Sequence, residues 1–334
     1  MSHHELIQAT TAGLNCSLGE FCIDPTRPVR TAVITHGHSD HARAGSHRYI
    51  CSPQTAPILR HRLGKTINTT TLEPGETIDL RDTRVSLHPA GHLLGSTQVR
   101  VEHDHHVWVV TGDYKRHPDP TCAPFEVVPC DVLISECTFG LPIYRWPEPE
   151  HVFNDINQWW RDCQAQQRTA VLSVYALGKA QRILAAIDPT IGPVAVHGSI
   201  HPLNKLYRDL GISLPDWTKL DARNAAELKG RALVLAPPAA RNTTWIRKLT
   251  PVSTAAASGW MTVRGRRRHD ALDRGFVISD HADWPGLLQT IRDTGARRVG
   301  LTHGNTETLV RYLRESGVDA FAIATTRHHD EAAP

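Results

Sequence analysis

Short apolar runs that end in a polar or charged residue recur along this chain. The run at residues 31–35 is β-branched and apolar, which is typical of a buried strand. Similar runs occupy residues 19–23, 107–111, 131–135, 275–279 and 297–302. Aspartate, glutamate or histidine follows each of them within two residues. The pattern predicts a β-sheet that brings carboxylate and imidazole groups together at one crowded edge.

A second pattern begins where tryptophan and two prolines interrupt the chain at residues 144–149. Beyond this point a predicted helix at residues 151–166 opens an alternation of strands and helices that continues to residue 256. This alternation predicts an α/β module of roughly a hundred residues inserted into the first domain. We therefore predict a main domain formed by residues 1–145 and 275–334, with an inserted domain at residues 146–274.

The polar residues directly after the strand at residues 31–35 are the strongest chemical signal. His36, His38, Asp40 and His41 fall within six residues. Imidazole and carboxylate together suit zinc, manganese or iron rather than calcium or magnesium. His36 and His38 are two apart and can point to one metal on an extended turn. Asp40 and His41 project differently and can reach a second metal nearby.

Other strand ends supply further candidates. His92 lies between two glycines, which permit the unusual backbone angles that deliver a side chain inward from a loop. Asp113 ends an apolar strand, and its carboxylate can offer one oxygen to each of two metals. Asp24 either orients a loop histidine by hydrogen bonding or is a simple turn aspartate. Glu136 ends another strand.

Composition sets limits on the class of protein. A chain of 334 residues, 40% hydrophobic and 21% charged, has the composition of an ordinary globular protein. A formal net charge of +3 is too small to establish a nucleic-acid partner, so any basic surface has to be local. The apolar stretches are strand-sized and the N-terminus lacks a secretory pattern, which predicts a cytoplasmic protein without a membrane segment. Seven cysteines without a C-x-x-C pair predict reduced thiols.

The motif from His36 to His41 fits the H-x-H-x-D-H signature of the metallo-β-lactamase fold. The further series resembles the β-CASP nucleases, the nucleic-acid-processing branch of that fold: Gly91-His92, Gly112-Asp113, Glu136, His281 and His303-Gly304. More narrowly, residues 19–25 and 279–284 resemble the bacterial DNA ligase-associated exonuclease family. The resemblance extends from about residue 13 to residue 317, which is nearly the whole chain.

This resemblance implies an αββα metallo-β-lactamase sandwich with an inserted β-CASP-like cap domain that closes a nucleic-acid groove. It implies two divalent metal ions, Zn²⁺ or Mn²⁺. One metal would be held by His36, His38 and His92, the other by Asp40, His41 and His303, with Asp113 bridging them. Asp24 would support the loop. Glu136 and His281 would form an acid–histidine pair in which His281 protonates the leaving oxygen.

The function that the resemblance implies is a DNA exonuclease acting in repair with a DNA ligase, in possible functional association with a helicase. An RNA-processing nuclease is the main alternative, because the motif series also resembles ribonucleases. A thioester or lactam hydrolase and a catalytically silent scaffold are weaker alternatives. The inserted module and the Glu136–His281 pair argue against the small-substrate hydrolase, and the complete set of ligand residues argues against the scaffold.

Two segments are candidates for contacts with a nucleic-acid backbone. Gly178 and Lys179 open a helix directly after a strand, where free N–H groups and the helix dipole favour a phosphate. A plain strand-to-helix turn explains this segment at least as well. Arg266, Arg267 and Arg268 belong to an arginine-rich run for which a solvated turn is the alternative.

Overall fold

The computed structural model describes residues 5–240 and 243–324, without the side chains of residues 244, 245, 264, 266 and 267. The chain divides into two compact units. The first comprises Met1–Tyr144 and His281–Pro334, and the second comprises Arg145–Asp280. The sequence predicts the corresponding boundaries after residues 145 and 274. The second boundary therefore lies six residues later in the structure than in the prediction.

The N-terminal part of the first unit contains one helix and the strands of two sheets. Its elements are β1 (Gln8–Thr10), β2 (Gly13–Cys16), β3 (Phe21–Ile23), β4 (Thr31–Val33), β5 (Arg48–Cys51), α1 (Thr55–Leu63), β6 (Thr69–Thr71), β7 (Thr77–Leu80), β8 (Thr83–Pro89), β9 (Thr97–His103), β10 (His106–Val110) and β11 (Val132–Glu136). Strands β1 to β6 form one sheet in sequential order. The strands from β3 to β6 run parallel, so the ends of β3 and β4 lie at the same edge.

The second unit alternates helices and strands. Its elements are α2 (Pro149–Ala165), β12 (Thr169–Ser173), α3 (Lys179–Ala186), β13 (Val194–Val196), α4 (His201–Asp209), β14 (Thr218–Lys219), α5 (Ala225–Leu228), β15 (Leu233–Ala236), α6 (Thr244–Arg247), β16 (Val252–Ala257), α7 (Arg264–His269) and β17 (Arg274–Phe276). The strands form one parallel sheet in the order β14-β13-β15-β12-β16-β17. Its central strands β12 and β15 are buried along their whole length, as expected for a parallel sheet covered on both faces. The module is therefore α/β, and its identity as a β-CASP cap stays a prediction.

Strand β17 belongs to a different sheet from the one that the sequence pattern assigns. The prediction places residues 275–279 in the main domain, whereas the structure pairs β17 with β16 in the second unit, with Ala255 opposite Arg274. The strand also ends at Phe276, before the predicted end. An apolar run indicates that a strand forms, but it carries no information about which sheet accepts its hydrogen bonds.

The chain returns to the first unit with α8 (Trp284–Thr294), β18 (Arg298–Thr302), α9 (Thr306–Glu315) and β19 (Asp319–Ala322). These strands complete a second sheet in the order β19-β18-β11-β10-β9-β8-β7. β11 and β18 are parallel neighbours, with Glu136 opposite Thr302. Glu136 is the last residue of β11, and His303 follows the last residue of β18. The two side chains therefore lie at the same edge of the sheet.

The first unit is layered as helix, sheet, sheet and helix. One apolar core joins the two sheets and includes Phe21 and Val33 from the first and Val99 and Ile134 from the second. Helix α1 packs on the outer face of the first sheet through residues including Ala56 and Leu59. Helices α8 and α9 pack on the outer face of the second sheet, where Leu287 and Leu309 join Leu133 and Val299. Full burial of such side chains contributes roughly 1.5–3 kcal/mol each. This layering is compatible with the predicted αββα sandwich.

The seven cysteines are free thiols, as the sequence predicts. Burial raises the pKa of Cys51, Cys130 and Cys137 to about 12, so these thiols stay protonated near neutral pH. Within the described residues, none of the helices combines the length and the apolar character needed to cross a membrane.

Candidate active site

Four side chains from three strand ends of the first unit converge. His36 and His38 follow β4, His92 follows β8, and Asp113 follows β10. Each offers one potential ligand atom, and these atoms lie within 4.8 Å of one another. His36, His92 and Asp113 are buried and His38 is half-buried. We refer to these four residues as the histidine–aspartate cluster.

Asp113 is central to the cluster. Its Oδ2 atom lies 3.7 Å from Nε2 of His36 and 3.4 Å from Nε2 of His41. The same oxygen lies 4.0 Å from Nε2 of His92. On the far side, Nε2 of His92 is 3.2 Å from Nδ1 of His38. One carboxylate therefore faces imidazoles from the β4 loop and from the β8 loop.

Asp40, His41 and His303 lie beside this cluster. Oδ2 of Asp40 is 3.5 Å from Nε2 of His41, and the rings of His41 and His303 have their centres 5.7 Å apart. His303 has a φ of +64°, which L residues with a side chain rarely adopt. Strained backbone of this kind costs roughly 1–3 kcal/mol and concentrates at functional sites. The structure thus brings all seven predicted ligands to one edge of the unit.

The orphaned polar atoms of the site test whether it fits a metal ion. Among the residues that the structure describes, His36 Nε2, Asp40 Oδ1, His41 Nε2 and Asp113 Oδ1 are buried and have no hydrogen-bond partner. An unsatisfied buried polar group costs about 1–3 kcal/mol. Divalent cations bound beside these atoms would accept electron pairs from them. Nitrogen and carboxylate donors together are typical of zinc and manganese sites. These residues therefore fit a divalent metal.

The electrostatics of the site also favour a cation. Burial opposes the protonation of His41, yet Asp113, Asp40 and Asp24 raise its pKa well above the usual range. Burial likewise opposes the ionisation of Asp113, but His41 and His281 hold the pKa of its carboxyl well below the usual range. Burial, helped by His41 and His92, lowers the pKa of His36 well below its usual value. Asp113 is thus ionised and His36 is neutral, as metal ligands must be.

Asp24 holds the β4 loop through two neighbours. Its Oδ2 atom is 2.7 Å from Nδ1 of His41 and accepts a hydrogen bond from Oγ1 of Thr35 at 2.6 Å. Its Oδ1 atom accepts the backbone N–H of Thr35 at 2.8 Å. Oγ1 of Thr35 in turn lies 3.0 Å from Nδ1 of His36. Gly112, with a φ of +56°, leaves room for this arrangement, because a Cβ there would lie 2.6 Å from Cβ of Thr35.

Replacing Asp24 with alanine is expected to weaken metal affinity about 10–100-fold, because an acceptor that orients a ligand histidine is lost. Titration of the chelator-treated protein against a chromophoric competitor measures this affinity. Asp79→Ala, which removes an exposed carboxylate of the same unit, is the matched control. Equal affinities for the Asp24→Ala and Asp79→Ala proteins would contradict the role of Asp24.

Glu136 and His281 form a second buried arrangement next to Asp113. Nδ1 of His281 lies 2.8 Å from Oε2 and 2.9 Å from Oε1 of Glu136. Glu136 also accepts the backbone N–H of Tyr114 at 2.8 Å and the hydroxyl of Thr138 at 2.6 Å. The ring of His281 is 4.9 Å from the ring of His92. Ligand atoms of Asp113, Glu136 and His281 also lie within 4.8 Å of one another, so His281 has two possible uses, as a proton donor and as a metal ligand.

The predicted phosphate contacts receive little support from the second unit. Lys179 is buried, with Nζ 3.9 Å from Oδ2 of Asp280, and the same carboxylate accepts a 2.9 Å bond from Arg182. The N–H of Gly178 donates to Oε1 of Gln181 at 2.7 Å. These groups are thus used inside the unit. Arg268 is exposed on α7, whereas the side chains of Arg266 and Arg267 lie outside the described part of the structure.

Several positioning residues escape sequence reasoning. Thr35 and Thr138 carry no chemical signal, because a threonine in or after a strand is ordinary. Nζ of Lys115 donates to the backbone carbonyl of His92 at 3.3 Å and to Asp119 at 2.7 Å, all within a buried environment. Arg62 of α1 donates to the carbonyl of Gly37, between two predicted ligands. The four-residue spacing of Lys115 and Asp119 suits an ion pair, but the sequence alone does not show that both residues are buried.

Comparison with known proteins identifies relatives along most of the chain, although no family model matches it. A protein from Opitutus terrae described as a probable DNA ligase is 33% identical over 303 residues, which covers 90% of this chain and 29% of that protein. An RNase J-like protein from Methanocaldococcus jannaschii is 23% identical over 245 residues, covering 64% of this chain and 57% of that protein. The chain thus spans less than two thirds of the length of either relative.

The fold also has a solved counterpart. A crystal structure of a protein of unknown function from Enterococcus faecalis V583 superposes with a TM-score of 0.59. The match covers 90% of this chain and 80% of that protein, at 14% sequence identity. At this level of identity the likeness concerns the fold alone.

Proposed function

We propose that this chain, whose relatives include β-CASP nucleases of the metallo-β-lactamase fold, is a metal-dependent nuclease that hydrolyses DNA from an end. The observation that carries the proposal is one buried edge that combines the histidine–aspartate cluster with the Glu136–His281 pair. The cluster offers ligands for divalent metal, and the pair offers a proton. Phosphodiester hydrolysis of this kind requires both a divalent metal and a proton donor for the leaving oxygen.

The metal-binding half of the proposal assigns His36, His38 and His92 to one Zn²⁺ or Mn²⁺ ion and Asp40, His41 and His303 to a second, with Asp113 shared. Two divalent ions held there would supply a Lewis acid that neutralises the phosphodiester and makes water nucleophilic near neutral pH. Asp24 and Thr35 keep the rings of His41 and His36 in the orientation that ligation needs.

The proton-transfer half concerns the leaving oxygen. Glu136 is held by three donors, from Tyr114, Thr138 and His281, so its position is fixed. Glu136 accepts a hydrogen bond from Nδ1 of His281, which fixes the orientation of the ring. We assign proton transfer to the substrate to the other ring nitrogen, Nε2. Protonation of the leaving alkoxide by such an imidazole contributes typically about 10²–10⁴-fold to the rate.

The choice of DNA rests on the relatives, and an RNA-processing nuclease is supported equally well. A segment similar to this chain forms part of a protein described as a probable DNA ligase, which favours DNA and an association with ligation. The similarity to an RNase J-like protein favours RNA. We infer a DNA exonuclease that prepares ends for a ligase, with RNA processing as the alternative.

Oligonucleotides of one sequence, made as DNA and as RNA and labelled at either the 5′ or the 3′ end, test this function. The protein is stripped with a chelator and then supplied with zinc or manganese. We expect metal-dependent release of short products from one end of the DNA. Cleavage of RNA with intact DNA would select the alternative. Failure to cut either polymer with either metal would overturn the proposal and favour a small-substrate hydrolase or a scaffold.

A further inference from the structure

The charge of the first unit is concentrated in one segment. Residues 25–72 contain seven lysines and arginines but one acidic residue, the buried Asp40. This local excess is larger than the formal charge of +3 for the whole chain, so the remainder of the chain is net negative. Any basic surface of the first unit is therefore expected within residues 25–72.

The structure gathers most of these charges at one edge. β4, β5 and β6 run parallel, and their first residues lie side by side, with Thr31 opposite Arg48 and Tyr49 opposite Thr69. The crossover helix α1 runs back and ends at the same edge. We call this surface the basic edge; it comprises Arg30, His47, Arg48, Arg60 and Lys65.

Hydrogen bonds place Arg30, Arg48 and Arg60 at this edge. The N–H of Arg48 donates to the carbonyl of Arg30 at 3.1 Å. Nε of Arg48 donates to Thr70, and Nη2 of Arg60 donates to the adjacent Thr69. A pocket of about 480 Å³ opens at this edge, with Arg30 and His47 among its lining residues.

The basic residues of this edge lack acidic partners. Among the described residues, no carboxylate lies within 4.0 Å of the charged groups of Arg30, Arg48, Arg60 or Lys65. Six arginines elsewhere on the same unit form ion pairs, namely Arg81, Arg84, Arg100, Arg116, Arg298 and Arg311. An attraction to the α1 dipole accounts for Arg60 in the last helical turn, but not for Arg30 or Lys65, which lie outside the helix.

We propose that the basic edge binds the phosphate backbone of the nucleic-acid substrate at a distance from the histidine–aspartate cluster; this rests on the proposed nuclease function. Unpaired arginines suit phosphate oxygens, and such contacts carry affinity without sequence information. An acidic protein fits the surface less well. The large exposed apolar residues of the described chain all lie outside residues 25–72, and protein interfaces depend on buried apolar anchors.

The distance along the strand determines which substrates sense this surface. Arg30 and His36 lie at opposite ends of the β4 segment, six residues apart, or at most about 20 Å at 3.3 Å per residue. Phosphates of one strand in a duplex are about 3.4 Å apart along the axis. A backbone that spans both sites therefore needs several nucleotides, and a dinucleotide is too short.

The test compares two triple variants with the same change in charge. Arg30→Gln/Arg60→Gln/Lys65→Gln removes three exposed charges of the basic edge, and Arg81→Gln/Arg84→Gln/Arg311→Gln removes three exposed, ion-paired arginines of the same unit. Binding of a fluorescent single-stranded 20-mer is followed by anisotropy between 50 and 300 mM salt, with chelator present so that the strand stays intact. Both variants are checked for unchanged circular dichroism.

We expect the basic-edge variant to bind the 20-mer about 10–100-fold more weakly and to lose about 2 from the slope of log K against log salt, at roughly 0.7 per contact. The control variant should change affinity less than about threefold. In hydrolysis, KM should rise for the 20-mer and not for a dinucleotide, with kcat retained.

Equal affinities and slopes for the two triple variants would overturn the basic edge as a binding surface. Failure of the nuclease function gives a different result, because the wild-type protein would then leave both the dinucleotide and the 20-mer uncut whatever the binding data show.

Discussion

Asp113→Ala is expected to abolish hydrolysis of DNA, with kcat reduced by about 10³-fold or more, since the loss of metal-based charge stabilisation costs several kcal/mol. The reason is geometric. Oδ2 of Asp113 lies within 4.0 Å of Nε2 of His36, His41 and His92, so this one carboxylate is the group common to both sets of predicted ligands. Metal content by mass spectrometry and initial rates on an end-labelled strand measure the two losses together.

Two further proteins distinguish a lost ligand from a damaged fold. Asp113→Asn keeps the size of the side chain and one neutral oxygen, and we expect it to retain the circular dichroism spectrum but little activity. Asp79→Ala, on an exposed carboxylate of the same unit, should behave as wild type. Normal metal content and rates in Asp113→Asn would show that the shared-ligand assignment is wrong.

Much of the site can be predicted from the sequence because its ligands follow strands. Neighbouring parallel strands bring their carboxyl ends to one edge, so Asp113 after β10, Glu136 at the end of β11 and His303 after β18 become neighbours once these strands are recognised. The resemblance to β-CASP nucleases, first drawn from those motifs, is confirmed by the relatives. The roles of the individual residues stay predictions.

Other features of the site depend on contacts that no pattern encodes. Thr35 connects Asp24 to His36 only because the β3 and β4 ends meet, and Lys115 supports the carbonyl of His92 only through the folded loop. Lys179 is buried and its ammonium group faces Asp280 rather than solvent, which argues against a contact with phosphate. A helix start predicts available N–H groups, but whether a side chain of the same unit uses them is settled by packing.

The basic edge illustrates a different loss of information. A whole-chain charge of +3 conceals it, because the excess of residues 25–72 is offset elsewhere. A window of about fifty residues would have revealed the excess. Its position at one sheet edge, and its lack of carboxylate partners, could come only from the strand register and the side-chain contacts.

His281→Ala is expected to lower kcat on DNA by about 10²–10⁴-fold, the range for removing a general acid. The ring is held at Nδ1 by Glu136 at 2.8 Å, so its other nitrogen is the one that can protonate a leaving alkoxide. If protonation is its role, metal content should stay as in wild type. Loss of metal in His281→Ala would instead identify His281 as a ligand beside Asp113 and Glu136, the other use that the geometry permits.

The leaving group provides the sharper test of this role. p-Nitrophenolate can leave a phosphodiester without being protonated. His281→Ala should therefore hydrolyse a p-nitrophenyl phosphodiester at close to the wild-type rate while failing to hydrolyse DNA. Glu136→Gln, which keeps a hydrogen-bond acceptor but removes the charge beside the imidazole, should show the same contrast at smaller amplitude. Asp113→Ala should lose activity on both substrates equally, because this substitution removes a metal ligand rather than a proton donor. Equal losses on both substrates in His281→Ala would exclude general acid catalysis by this residue.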